Sequence, residues 1–202
     1  MGKLIDKIEA KFAEQGLDQR KSEARQWLLQ TLKKVSRIDR KNQIINDPSH
    51  QFQTNTNFVR LYGRMFFFFY NPKTKDDLPY YDRFPLVIPF KRYDDGFLGL
   101  NLHYLPPRYR LIFLDRLYMV LNNHEYDETT KFKLTYKILE SNAKLRYFEP
   151  CLKRYLRSHI KSKMVIVEPE QWEIAAVLPA EFFAKKQAIN VFKESMSIIN
   201  GI

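Results

Sequence analysis

The sequence predicts an α+β fold, a small SH3-like antiparallel β-barrel or sheet over about residues 62–105 plus 163–178, embedded in several helices. Three observations predict it. Residues 63–107, GRMFFFFYNPKTKDDLPYYDRFPLVIPFKRYDDGFLGLNLHYLPP, hold short apolar runs separated by turn residues. On both sides of that stretch apolar residues recur at helical spacing instead. A chain of 202 residues with 45% hydrophobic and 15% aromatic content also has enough apolar surface to bury a core, which excludes a disordered chain.

The elements follow in order. Leu4, Ile5, Ile8 and Phe12 mark a short amphipathic helix ending at Gly16. Asp18 is placed to cap a second, with Ala24, Trp27, Leu28, Leu32, Val35 and Ile38 on one stripe. Residues 42–62 lose this period and gain Asn, Gln, Ser and Thr around Pro48, as a linker does. The expected organisation is therefore basic helices over 1–45, a linker or arm over 46–61, and one compact β core with C-terminal helices over 62–202.

Within the β unit, Met65 to Tyr70 reads as a strand buried on both faces and stopped by Asn71-Pro72. Phe84 to Phe90 reads as a second strand, whose Pro85 and Pro89 require an edge or a bulge because proline donates nothing to a ladder. Asp94-Asp95-Gly96 predicts a hairpin with the glycine at positive φ, returning as a third strand over 97–105. With so few strands, closure into a barrel would remove the exposed edges. Pro107 opens a helix running to Asn122, and Asp127 caps another over DETTKFKLTYKILESN. A further helix is expected over Glu149–Arg157, a short strand over Val165–Val167, an apolar segment over Trp172–Leu178, and a closing helix over Pro179–Ile199 with Phe182, Phe183, Ile189, Phe192 and Met196 inward.

Charge is segregated along this plan. The chain carries +11. Positions 20–41 hold eight basic and two acidic residues and positions 144–163 seven and one, together +12, so the rest is close to neutral. Clustering of this kind points to a polyanion more strongly than the total does. The candidate phosphate contacts are Arg20, Lys21, Arg25, Lys33, Lys34 and Arg37 in the first cluster and Lys153, Arg154, Arg157, Lys161 and Lys163 in the second. The competing readings of these residues are a solvated basic face and a dock for acidic protein neighbours.

The search for catalytic motifs finds no glycine-rich phosphate loop, paired cysteines, His-Glu-x-x-His or Gly-x-Ser-x-Gly. No metal or other cofactor is expected, because Asp76, Asp77, Asp82, Asp94 and Asp95 are each accounted for by turn chemistry. His103, with Tyr104, Asp82 and Arg83, is the constellation best suited to acid–base cleavage of RNA, set against a core histidine on an apolar strand. Cys151 is the sole cysteine, which excludes an internal disulfide, and His159 is the histidine close to it in sequence. No run of eighteen apolar residues and no apolar signal core is present, so neither a membrane span nor secretion is expected.

GRMFFFFYNPKTKDDLPYYDRFPLVIPF, GFLGLNLHYLPPRYR, CLKRYLRSHIKSK and VEPEQWEIAAVLP together resemble a family of small structural proteins of T4-like tailed phages, the DNA-end protectors. The resemblance covers residues 1 to about 195. It implies a non-enzymatic virion protein, assembled in the host cytoplasm, that shields the end of packaged double-stranded DNA at the head vertex and sits among other head, neck or tail proteins. No catalytic residues come with that role. The alternative from another class is a structural subunit of a neck, tail or baseplate that docks on acidic neighbours; a small barrel ribonuclease is the third.

Overall fold

The structure is a computed structural model. It describes residues 64–201 except Asn122, together with seven helical residues at 22–24, 26, 27, 29 and 30. The expected helix ending at Gly16, the linker over 46–61 and the candidate contacts Arg20, Lys21, Arg25, Lys33, Lys34 and Arg37 lie outside the described residues.

Between residues 64 and 201 the strands and α-helices are, in order, β1 (Met65–Phe67), β2 (Tyr81–Asp82), β3 (Leu86–Tyr93), β4 (Gly96–Asn101), α1 (Pro107–Leu121), α2 (Glu128–Ala143), β5 (Leu152–Leu156), β6 (Val165–Val167), α3 (Trp172–Val177), β7 (Phe183–Ala184) and α4 (Ala188–Asn200). Five strands form one antiparallel sheet in the order β5-β4-β3-β1-β6, and β2 pairs with β7 apart from it. Mixed helix and sheet is as expected, but among the described residues the barrel is not closed: the sheet ends at β5 on one side and β6 on the other. The expectation of closure rested on removing the exposed edges, and both edges remain among the described strands. Helices cover one face, and the segment between β5 and β6 crosses the other, bonding to the end of β1 through Lys161 N–H to Phe69 O at 2.7 Å and Asn71 N–H to His159 O at 3.0 Å.

Alternation along the strands sorts the core into two clusters. Met65, Phe67, Leu86, Ile88 and Leu100 point to the helical side and pack with Phe113, Leu114 and Leu117 of α1, Leu139 of α2, Trp172 and Ala175 of α3, and Val191 of α4. Phe66, Phe68, Val87, Phe97, Tyr155 and Ile160 form the second cluster on the opposite face. The strand from Met65 is thus buried on both faces, as its unbroken apolar run requires. Ala24 and Trp27 pack against the main cluster, Trp27 with its ring 5.9 Å from that of Phe67, so these two members of the predicted stripe do face the core.

Pro89 lies in the middle strand of the sheet, where a missing donor is tolerated because the register with β4 shifts between Pro89 and Lys91. The β3–β4 hairpin turns at Asp94-Asp95, with Tyr93 opposite Gly96. Gly96 is not at positive φ. A Cβ there would run into the carbonyl oxygen of Tyr155 on β5, so close strand approach, not turn geometry, requires the glycine.

Three further expectations are corrected. The helix expected over Glu149–Arg157 is a 3-10 turn, Arg146–Cys151, followed by β5. Leu152, Tyr155 and Leu156 satisfy a helical period, but the ladder Leu100↔Leu152 to Gly96↔Leu156 overrides it. The third strand ends at Asn101, whose side chain accepts from His103 N–H and starts a 3-10 turn over Leu102–Tyr104. The closing helix begins at Ala188, leaving Phe182 and Ile189 exposed. In α4 Val191 and Ser195 take the buried positions instead.

Candidate nucleic-acid interface

The second basic cluster folds into an edge strand and the crossing segment after it. An edge strand leaves a row of backbone groups unpaired, and charged side chains there already discourage pairing between molecules. Beyond that shared role, the five predicted residues separate into three environments.

Arg154 and Arg157 hold the hairpin tip. The guanidinium of Arg154 lies 3.7 Å from the ring centroid of Tyr93 and pairs with Asp95. Arg157 donates from its side chain to the carbonyl oxygen of Asp94 at 2.7 Å, and from its backbone to that of Asp95 at 2.8 Å. Lys161 and Lys163 are exposed on the crossing segment, with the Lys161 ammonium donating to Ser158 O at 3.1 Å. Lys153 turns inward: its ammonium sits 4.2 Å from the centre of the Tyr104 ring, and burial lowers its pKa.

Lys153 and Arg154 both line a cavity of about 350 Å³. Five phenols, Tyr70, Tyr80, Tyr81, Tyr104 and Tyr155, line it as well. Asp82 and Asn101, both buried, add a carboxylate and an amide, and Lys73 and Thr74 from the exposed 73–77 loop complete its open side. Burial raises the Tyr104 and Tyr155 phenols, so both stay protonated hydrogen-bonding groups through the neutral range. Tyr80 is pushed up to about 12, first by burial and then by the carboxylate of Glu194 to which it is bonded.

Asp82 ties the cavity to the core. One of its oxygens accepts from Phe84 N–H at 3.0 Å; the other accepts from Asn101 Nδ2 at 3.0 Å and lies 2.8 Å from His103 Nδ1. His103 is fully buried. Its ring therefore braces Asp82 from inside the core and is not presented to a substrate, while Arg83 is exposed over the Phe182 ring at 4.5 Å. Cys151 is equally inaccessible, its thiol pushed up to about 12 by burial, and His159 Nδ1 is bonded to the carbonyl of Asn71 at 2.8 Å. A reactive thiolate needs the opposite environment.

Sequence reasoning missed the inward turn of Lys153 and the phenol-lined cavity. Residues 72–75 and 80–83 belong to the turn-forming stretches between the apolar runs of 63–107, but their meeting with Lys153 depends on β4–β5 pairing. Lys185 was also missed. It stands at φ 67° and donates from its ammonium to the carbonyls of Lys75, Asp76 and Leu78 at 2.8, 2.9 and 2.9 Å, pinning the loop beside the cavity. Among the described residues no cluster of His, Cys, Asp and Glu is arranged to hold a metal ion, and no helix is long and apolar enough to cross a membrane.

Compared with known proteins, the chain matches one family model, described as the phage T4 terminal DNA protecting protein, over residues 3–195. No curated protein and no solved structure matches it. Because the match spans nearly the whole sequence, the chain belongs to the phage T4 terminal DNA protecting protein family.

Proposed function

We propose that this chain is a non-enzymatic virion protein that binds the end of packaged double-stranded DNA at the head vertex and shields it from exonuclease. The family match carries the reading. Its contact surface is the strip formed by Lys153, Arg154, Arg157, Lys161 and Lys163, together with Arg20, Lys21, Arg25, Lys33, Lys34 and Arg37 of the first basic cluster. Such a surface tracks phosphates without reading bases. Among the described members Arg154, Lys161 and Lys163 are exposed and Arg154 is paired with Asp95, so Lys161 and Lys163 supply the charge available for counterion release. The other head, neck or tail proteins would hold it at the vertex.

The experiment is a salt titration of binding to linear and to closed circular duplex. Affinity for linear duplex should fall log-linearly with salt, and Lys161→Gln with Lys163→Gln should each reduce the slope by about one. Duplex binding that is absent, insensitive to salt, or equal for linear and circular DNA would overturn the reading. A copy number in the particle set by ring symmetry would instead favour a neck, tail or baseplate subunit whose basic surface docks on acidic protein.

A further inference from the structure

A surface of lysines and arginines binds every phosphate along a duplex equally, so charge alone cannot tell an end from the middle. What distinguishes a terminus is that its last nucleotide has a neighbour on one side only and leaves the stack at the least cost. A concave site with room for one nucleotide exploits that difference, because an internal nucleotide enters it only after it is unpaired and unstacked from both neighbours.

We infer that the phenol-lined cavity beside β5 is such a site and takes one unstacked terminal nucleotide of a DNA strand. The inference rests on the end-protecting reading and names the part of the molecule that recognises the end. Three observations carry it. The cavity's volume of about 350 Å³ lies at the small end of ligand sites, room for a single nucleotide and far too little for a duplex. Its chemistry is graded: Tyr104, Tyr155, Asp82 and Asn101 are buried, Tyr80, Tyr81 and Lys153 are half-buried, and Lys73 and Arg154 are exposed. That order suits a base and sugar inside, with the terminal phosphate at the basic opening. The cavity also shares Lys153 and Arg154 with the residues proposed to contact the duplex, so a bound strand and the cavity meet at β5.

Rigidity supports the same use. Asp82 is fixed by Phe84, Asn101 and His103, and the loop bearing Lys73 and Thr74 is held at its far end by Lys185. The groups facing the nucleotide are therefore positioned before it arrives, which lowers the entropy lost on binding.

The test uses the full chain, linear duplex, closed circular duplex and linear duplex whose terminal nucleotides are abasic. Two variants alter the cavity: Thr74→Trp fills it from an exposed loop, and Lys153→Met removes its inner cation while keeping a side chain against the Tyr104 ring. Both are first checked for an unchanged melting transition. Each should weaken binding to ordinary linear duplex by about tenfold, and the abasic ends should weaken the wild type similarly. Thr74→Trp should leave affinity for circular duplex within about twofold, because the exposed strip is intact. If the wild type prefers linear DNA but the filled cavity and the abasic ends cost nothing, the cavity is not the end reader, while end protection stands. If the wild type shows no preference for linear DNA, end protection fails and this inference with it. Saturation by 2′-deoxyadenosine 5′-monophosphate that linear duplex cannot displace would make this a free-nucleotide site and also overturn it.

Discussion

Gly96 shows how a single residue fixes the approach of two strands. Its missing side chain lets β4 lie against β5 at the Tyr155 carbonyl, whereas Gly99 faces the Val87 side chain, which would be 2.5 Å from an added Cβ. Backbone cannot move aside without breaking the ladder; at Gly99 the tight contact is a side-chain methyl, and the nearest backbone atom, the Ile88 carbonyl oxygen, would stay 3.2 Å from the Cβ. Gly96→Ala should therefore destabilise the fold by about 1–3 kcal/mol and Gly99→Ala by clearly less, measured as shifts in a denaturation midpoint. The reverse order would mean that β5 is not held where this geometry has it. His103 teaches a related lesson. A histidine bonded to an aspartate has the composition of a catalytic pair, yet complete burial in the 3-10 turn after β4 makes it a brace for Asp82.

At the scale of elements, the loop between β1 and β2 depends on a lysine more than a hundred positions later. Lys185 occupies a left-handed backbone conformation that a side chain makes costly, on the order of 1–2 kcal/mol, and its three charge-assisted hydrogen bonds offset that. Lys185→Met removes those bonds and keeps the strain. The expected outcome is faster amide hydrogen exchange across residues 73–78 with a small change in overall melting. Unchanged exchange there would show that the loop is held by something else. The helices behave more locally: Asp127 caps α2 by accepting from Thr130 N–H at 2.6 Å, and Gly201 ends α4 in the left-handed conformation. The Asp127 cap is read correctly from sequence because its partner lies within a turn.

For the whole molecule, buried acids set the response to alkali. The Cys151 thiol is pushed from 9.0 up to about 12 and the Tyr80 phenol from 10.0 up to about 12, with Tyr104 and Tyr155 also raised by burial. Each stays protonated in the native state while the unfolded chain releases its proton, so above the unfolded value the native state binds more protons and stability falls as pH rises. Stability should thus be flat with respect to these groups below about pH 9 and decline from there, with tyrosinate absorbance appearing together with unfolding. Tyrosinate forming fully in the still-folded protein would show that these phenols are not buried. The same packing makes the second basic cluster a set of distinct groups, with Lys153 in the cavity, Arg154 and Arg157 on the hairpin tip, and Lys161 and Lys163 open to solvent.

The sequence by itself determined the α+β class, the doubly buried first strand, the need for an edge or a bulge at Pro89, the cap at Asp127, the segregation of charge and the family. All of these are written in short-range patterns or in composition, which survive without knowledge of distant contacts. Only the tertiary structure decided that Leu152–Leu156 is a strand, that the sheet stays open, that Gly96 is spaced for a neighbouring carbonyl, and that Lys153 faces Tyr104. Each of those depends on which strand pairs with which across fifty or more residues, and a local pattern that suits two structures equally is settled by the ladder and the core it closes against.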